Sequence, residues 1–160
     1  MKRTQKFAVA AGLAALLCTV GLASGAVATP ESPGLTRTPP VTGTLDGTSS
    51  GPHKVSQDKV ELKTKTETSV TTFELTYPPG SFSGWHAHPG IVIVVVKSGT
   101  VIRQTGCGEG EEFTVNEAFT EVGPHYVSNE GDVDAVLSIT RIYPKSATAG
   151  RIDLPAPVCP

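Results

Sequence analysis

The sequence predicts a single domain that consists almost entirely of β-strands, arranged as a sandwich or a small barrel. From Val60 onward, apolar and polar residues alternate, β-branched residues are frequent, and turn residues recur about every ten positions. No segment after residue 28 has sustained helical periodicity. Together these observations favour short strands joined by turns.

Two alternations of opposite parity open the domain. One begins at Val60, and the other runs from Phe73 to Tyr77. Because a change of parity moves side chains to the other face, a turn or bulge must separate the two, and we predict it near residues 67–69. The segment YPPGSFSG then interrupts regular structure, since prolines and glycines fit turns better than strand interiors.

A run of aliphatic residues, IVIVVVK, follows at positions 91–97. It is apolar at both parities, and a strand of that kind is stable when both of its faces are covered. The sequence therefore predicts that this strand lies inside the sandwich or barrel. Ser98 and Gly99 form a tight turn after it, and TVIRQT is predicted to return as the next strand.

The remaining strands are short, except for the last. After the loop GCGEGEE, the segments FTV, AFTEV and HYVSN are predicted strands, with a turn at Gly123 and Pro124. The acidic residues of that loop fit a solvated surface better than a calcium site, because their spacing is not that of a known calcium loop. DAVLSITRIY is the last long strand, and a proline-rich coil follows it to Cys159.

Residues 1–28 have the three-part layout of a secretory signal peptide. The first six residues include three basic side chains, an apolar run follows, and the tripeptide Ala-Val-Ala before Thr29 fits the small-x-small rule for cleavage. We predict cleavage after Ala28 and a secreted protein that begins at Thr29. The alternative is a retained membrane anchor, for which the apolar run is long enough.

Cleavage also changes the charge of the protein. Removal of three positive and no negative side chains moves the formal charge from −2 to −5. Electrostatic attraction therefore does not favour binding of this mildly acidic chain to nucleic acid or to anionic lipid. We therefore expect no nucleic-acid partner, and no membrane association after cleavage.

Residues 29–53 are predicted to be a flexible, disordered linker or a loosely draped arm. They include five prolines and four glycines but almost no large apolar residues. Such a segment cannot bury enough surface to offset its ordering entropy. Residues 54–160 are then the single folded domain.

Cys107 and Cys159 are the two cysteines outside the signal segment, which contains Cys18. Outside the cytoplasm such a pair is usually oxidised, so we predict a disulfide that ties the tail to the domain. A closed loop of about 50 residues contributes roughly 4 kcal/mol on the loop-entropy model. Two free thiols are the alternative. A metal site is disfavoured, because neither cysteine has a second Cys or His within a few residues.

Two histidines one residue apart, His86 and His88, lie just before the aliphatic strand. Side chains two apart in a strand share a face, so both can bind one ion. His125 begins a later strand and is the third candidate donor if that strand lies beside the first. Three imidazoles suit zinc, copper, nickel, iron or manganese, with water completing the shell. In the alternative, the histidines bond one another and water in a pocket without metal.

The segment GSFSGWHAHPGIVIVVVKSG resembles the first motif of the cupin superfamily, in which a glycine precedes an H-x-H pair and another follows the next strand. The matching positions are Gly80, His86, His88 and Gly99. The second cupin motif ends in a histidine with an asparagine four residues later, which His125 and Asn129 match. The resemblance covers residues 60–143. In its detailed sequence, the chain also resembles small secreted bacterial cupins of the type-2 conserved-barrel kind. It implies a double-stranded β-helix, or jelly-roll barrel, that holds a divalent metal through the three histidines.

Two departures from the cupin pattern concern the site. The usual glutamate four residues after the second histidine is Val92, and the usual proline and glycine of the second motif are Thr120 and Val122. Glu121 lies in the strand leading to His125 and is a candidate replacement ligand. Its alternative is an ordinary carboxylate at the surface or rim, because alternation could equally turn it to solvent.

The resemblance implies a small-molecule pocket without choosing a reaction, since cupins include dioxygenases, decarboxylases and isomerases. One hypothesis is a metal-dependent enzyme that acts on a small extracellular molecule. Another is a non-catalytic module that binds a metal, a sugar or a metabolite, which the missing glutamate at Val92 favours. A third is an assembly scaffold. Because cupins often pair through strand edges, a homodimer belongs to the expected partners.

Overall fold

The computed structural model describes residues 27–159, and within them the regular structure consists of strands alone. The predicted signal peptide, residues 1–28, therefore lies outside the described residues except for its last two. No helix among the described residues is long and apolar enough to cross a membrane. The strands in chain order are β1 Thr36–Arg37, β2 Val41–Thr44, β3 His53–Gln57, β4 Val60–Thr64, β5 Thr68–Tyr77, β6 His86–Ala87, β7 Ile91–Ser98, β8 Val101–Gln104, β9 Glu111–Phe113, β10 Ala118–Glu121, β11 Tyr126–Ser128, β12 Ala135–Pro144 and β13 Ile152–Asp153.

Eight of these strands form a jelly roll. The larger sheet has the order β5-β12-β7-β10, and β11-β8-β9 form the second sheet. The segment containing β6 extends the second sheet, because bridges join Phe82 to Ser128 and His86 to His125. The chain crosses between the two sheets at most of its connections, as a jelly roll requires. The predicted all-β fold class is thereby confirmed.

The core lies between the two sheets and follows the alternation of the long strands. In β12, Leu137 and Ile139 are buried, and in β7 the residues at even positions, Val92 to Val96, are buried. Valines at those positions pack against aromatic and aliphatic side chains of the opposite sheet, including Phe113. The inward parity of each strand therefore decides which side chains reach the end of the barrel where the histidines lie.

The prediction that both faces of the aliphatic strand are covered is wrong. Ile91, Ile93 and Val95 on the outer face of β7 are 44%, 39% and 39% exposed. The reason is that β7 belongs to one layer of a two-layer fold, and no further layer covers its outer face among the described residues. Valine and isoleucine at these positions fit a pleated surface even when it is half exposed.

The segment predicted as a linker or draped arm, residues 29–53, lies along the domain. Strands β1 and β2 both pair with the free edge of β5, so that Arg37 is opposite Leu75 and Val41 is opposite Thr72. The ordering comes from backbone hydrogen bonds at a sheet edge, which need little apolar burial. The composition of the segment does not reveal that edge. The predicted boundary at His53 coincides with the start of β3, which forms a hairpin with β4.

The C-terminal coil also returns to the domain. Strand β13 pairs with β6, and the Leu154 amide donates to the Trp85 carbonyl at 2.8 Å. Cys107 and Cys159 form a disulfide with an S–S distance of 2.05 Å. The Thr29 amide donates to the Leu154 carbonyl at 3.0 Å, so the arm and the tail meet at the segment that carries His86.

Candidate metal centre and adjoining cavity

His86 and His125 face each other across the edge of the second sheet. Each backbone amide donates to the carbonyl of the other residue, at 3.0 and 2.9 Å. Their ring centroids lie 4.2 Å apart, and the His88 ring lies 4.8 Å from that of His86. The backbone pairing therefore brings the three histidines predicted from the sequence into one cluster.

Backbone carbonyls fix the orientation of all three imidazole rings. The distances to Nδ1 are 2.9 Å from the Gly84 oxygen for His86, 2.7 Å from the Gly150 oxygen for His88, and 2.8 Å from the Gly123 oxygen for His125. Because a carbonyl only accepts, each Nδ1 must carry hydrogen and donate. In the neutral ring Nε2 then keeps a free lone pair, which is the arrangement usual for metal-binding histidines.

Glu121 completes the cluster from the neighbouring strand. One carboxylate oxygen lies 3.4 Å from Nε2 of His88 and 3.4 Å from Nε2 of His125. Glu121 is buried, and its cross-strand partner in β7 is Val92. Directly opposed residues of antiparallel strands share a face. The carboxylate that the cupin pattern has at position 92 is thus supplied one strand away, inside the cluster and not at the surface.

The electrostatics of the cluster favour a neutral His86 beside an ionised Glu121. Burial, together with the neighbouring His125, lowers the pKa of His86 to about 3. Burial by itself would raise the pKa of Glu121, but the adjoining His125 and His88 side chains hold that pKa well below its usual range. At neutral pH, His86 therefore presents a lone pair and Glu121 a negative charge.

The donor set fits a first-row divalent metal ion. Nε2 of His125 is buried and has no hydrogen-bond partner, which costs free energy unless something else binds it. The donor atoms of His86, His88, His125 and Glu121, here called the His/Glu cluster, lie within 4.8 Å of one another. Ligands about 2.1 Å from one ion in a tetrahedral site are about 3.4 Å apart, so the widest separation in the cluster must shorten by about 1.4 Å on binding. Three nitrogens and one oxygen suit zinc and its first-row neighbours.

A small cavity of about 40 Å³ adjoins the cluster. His86, His88 and Glu121 form one part of its lining, and three arginines form another: Arg37 of β1, Arg141 of β12 and Arg151 before β13. These arginines belong to none of the sequence motifs that indicate the site. A signal for Arg141 is its parity, since it continues the inward face of Leu137 and Ile139.

Asn129, the other residue of the second motif, stabilises the loop after β11 and is not part of the cluster. Its buried amide nitrogen donates to the carbonyls of Tyr77 and Val133, both at 2.8 Å. Its oxygen accepts from the Gly131 amide at 3.0 Å.

We expect Asn129→Ala to lower the free energy of unfolding by about 2 kcal/mol, because the buried Tyr77 carbonyl and the partly buried Val133 carbonyl lose their donor. Chemical denaturation measures this change, and metal content should stay as in the wild type. A loss of metal without a loss of stability would contradict the role given to Asn129.

Comparison with known proteins gives structural likeness only. No protein-family model and no curated protein matches this chain. A cupin-like protein from Thermotoga maritima has a TM-score of 0.46 and 17% identity over 54% of this chain and 65% of its own. A Cupin 2 conserved barrel domain protein from Salinispora arenicola has a TM-score of 0.43 and 18% identity over 48% and 65% of the two chains. This chain therefore spans less than two thirds of either protein.

A cupin domain from Bordetella pertussis has a TM-score of 0.41 and 27% identity over 57% of this chain and 93% of its own. Because these scores are all below 0.5, the fold assignment depends on the strand order of the chain itself. Two four-stranded layers, with β6 beside β11 and a bridge between His86 and His125, are its basis. This chain has a double-stranded β-helix, or jelly-roll, barrel.

Proposed function

We propose that the protein binds one divalent transition-metal ion, of zinc, manganese, iron, nickel or copper, through the His/Glu cluster. The observation that carries this proposal is the buried, unpartnered Nε2 of His125, which faces a carboxylate oxygen 3.4 Å away. Hydrogen bonds from Nδ1 to backbone carbonyls hold the three rings before any ion arrives, so little ordering is needed on binding.

The substrate or ligand would be a small molecule in the adjoining cavity. A metal bound by the cluster would supply Lewis-acid activation or oxygen chemistry to that molecule. The chain supplies position and charge: Glu121 keeps the cluster anionic on its side, and Arg37, Arg141 and Arg151 place positive charge on the other lining. Leu137 and Ile139 also line the cavity, and their apolar side chains limit the space for water.

A non-catalytic binding module is a second candidate. The lack of a free proton acceptor among the described residues of the cavity lining favours it. Glu121 provides the carboxylate of the cavity lining, and it is not free to accept a proton once it binds metal. Burial, reinforced by the charge of Glu121, raises the pKa of Tyr77, so this phenol stays protonated at neutral pH. Oxygen uptake and product analysis with small organic acids and sugars distinguish the two, because turnover excludes a purely binding role.

The metal proposal is tested by measuring bound metal in the purified protein after stripping and reconstitution with each first-row ion. We expect one ion per chain in the wild type and loss of at least nine tenths of it in His125→Ala, since that change removes a buried donor. His86→Ala and His88→Ala should behave similarly, and Glu121→Gln should weaken binding about 10- to 100-fold.

His53→Ala is the matched control, because His53 lies in β3 and outside the cluster. It should retain the full metal content. If the wild type binds no stoichiometric metal, or if the cluster variants retain metal as well as His53→Ala does, the proposal is wrong.

We also propose that the protein is secreted after cleavage behind Ala28. The disulfide between Cys107 and Cys159 supports an oxidising compartment. The side chain and amide of Thr29 bond the Leu154 carbonyl, so a chain that begins at Thr29 would keep its first residue on the domain. Intact-mass measurement of the protein from the culture medium of its host tests this, and a mass that includes residues 1–28 would contradict it.

A further inference from the structure

Arg141 is a partly buried cation without an acidic partner. Among residues 27–159, Arg37 pairs with Glu31 and Arg151 pairs with Asp153, whereas Arg141 forms no ion pair. Its Nε is buried without a hydrogen-bond partner, and its Nη1 donates to the Gly150 carbonyl at 3.1 Å. The guanidinium carbon lies 4.6 Å from the Phe73 ring centroid, which is a cation–π contact.

The strand register places Arg141 close to the His/Glu cluster. Val92 of β7 is paired with Glu121 on one side and with Arg141 on the other. Opposed residues share a face, so the three side chains form one inward row across β10, β7 and β12. The Gly150 carbonyl accepts from both Nδ1 of His88 and Nη1 of Arg141. A single backbone oxygen therefore connects the arginine to a candidate metal ligand.

The positive charge of the cavity lining favours a bound anion. Three arginines line it, and Glu121 is the acidic side chain of the lining. A partly buried guanidinium that lacks a counter-ion is costly, and a bound anion offsets that cost. The planar fork of arginine donors matches the two oxygens of a carboxylate. Among small anions, carboxylates therefore fit Arg141 best.

The volume of the cavity limits the size of that anion. A cavity needs roughly 10–15 Å³ per water molecule, so about 40 Å³ holds about three waters. A ligand that replaces them has roughly three to six non-hydrogen atoms. Formate, acetate and glycolate are of this size, whereas sugars and aromatic acids are larger than the cavity.

We propose that the cavity binds a small carboxylate, with Arg141 as its main contact and the His/Glu cluster on its other side. This inference deepens the proposed function and depends on it for the presence of a metal next to the carboxylate. The interaction with Arg141 itself does not require the metal.

The test is calorimetric titration of formate, acetate and glycolate into the metal-loaded and the metal-stripped protein. We expect one carboxylate per chain, and at least about tenfold weaker binding in Arg141→Gln, since a charge-assisted bidentate contact is lost. Metal content should not change in that variant. Arg103→Gln is the matched control, because Arg103 also lies over aromatic rings, Phe113 and Phe119, but outside this cavity.

Two further variants keep the test decisive if Arg141→Gln does not fold. A Cβ at position 150 would lie 2.4 Å from Nη1 of Arg141, so Gly150→Ala should displace the guanidinium while keeping its charge, and weaken acetate binding severalfold. Val92→Glu should place a carboxylate beside Arg141 and abolish acetate binding while metal is retained.

The inference is wrong if acetate binds equally well to the wild type and Arg141→Gln, if acetamide binds as tightly as acetate, or if phosphate binds more tightly than any of the carboxylates. Arginine-dependent acetate binding in a protein that takes up no metal would support the carboxylate site and overturn the metal proposal. Stoichiometric metal binding without any carboxylate binding would support the metal proposal and overturn the carboxylate site.

Discussion

Replacing Cys107 and Cys159 by serine is expected to lower the free energy of unfolding by about 4 kcal/mol. The disulfide joins residues 52 positions apart, and opening a loop of that length increases the entropy of the unfolded chain by about this amount. Such a loss is a large part of the stability of a small domain. Chemical denaturation of the double variant and of the oxidised wild type measures it.

The same substitution should loosen the candidate metal centre. The tail held by Cys159 includes Gly150, whose carbonyl fixes Nδ1 of His88, and β13, which pairs with β6. We expect faster release of metal to a chelator, with unchanged stoichiometry. The wild type under reducing conditions is the control and should behave like the double variant. A stability loss below about 1 kcal/mol would show that the tail is held by its other contacts.

The sequence was informative wherever a single strand decides the direction of a side chain. His86 and His88 are two residues apart, so their shared face follows from strand geometry. Glu121 could have been placed by the same rule, because Phe119 is two residues before it and is buried in the core. Because Phe119 and Glu121 share a face of the strand, the inward direction of the apolar Phe119 predicts that Glu121 also points inward.

Other features depend on pairings that no local pattern encodes. Arg37 reaches the cavity because β1 is paired with β5, and Arg151 reaches it because β13 is paired with β6. Both arginines lie in segments whose composition predicts a linker or a coil. The pairings that hold them are backbone hydrogen bonds at sheet edges, and these depend little on the side chains present. The exposed face of β7 is a similar case, since a count of layers is a property of the whole fold.

The arm and the tail are therefore parts of the candidate site. Each contributes an arginine to the cavity lining, and the tail also orients a histidine. The two segments therefore line the cavity together with the core strands β5 and β12. Their removal should affect ligand binding more than a truncation of surface coil would.

Acidification is expected to destabilise the metal-free protein, beginning below about pH 6.5. The pKa of His86 falls from 6.5 in the unfolded chain to about 3 in the folded protein, because burial disfavours its charged form. Between these values the unfolded state binds more protons, so the free energy of unfolding decreases as the pH decreases. At about 1.4 kcal/mol for each pH unit, the loss reaches about 3 kcal/mol by pH 4.5. Below that pH, Glu121 adds to it, because its pKa in the folded protein is also lowered.

His86→Asn separates this effect from general acid denaturation. The Asn amide can still donate to the Gly84 carbonyl that His86 bonds, but it does not titrate. Denaturation curves of the metal-free proteins between pH 7 and pH 4.5 should show a steep loss of stability in the wild type and a nearly flat profile in the variant. Equal pH dependence in both proteins would mean that His86 is not the buried neutral imidazole that the structure describes. Because protons and metal compete for the same Nε2 atoms, a saturating metal should shift the wild-type loss to lower pH.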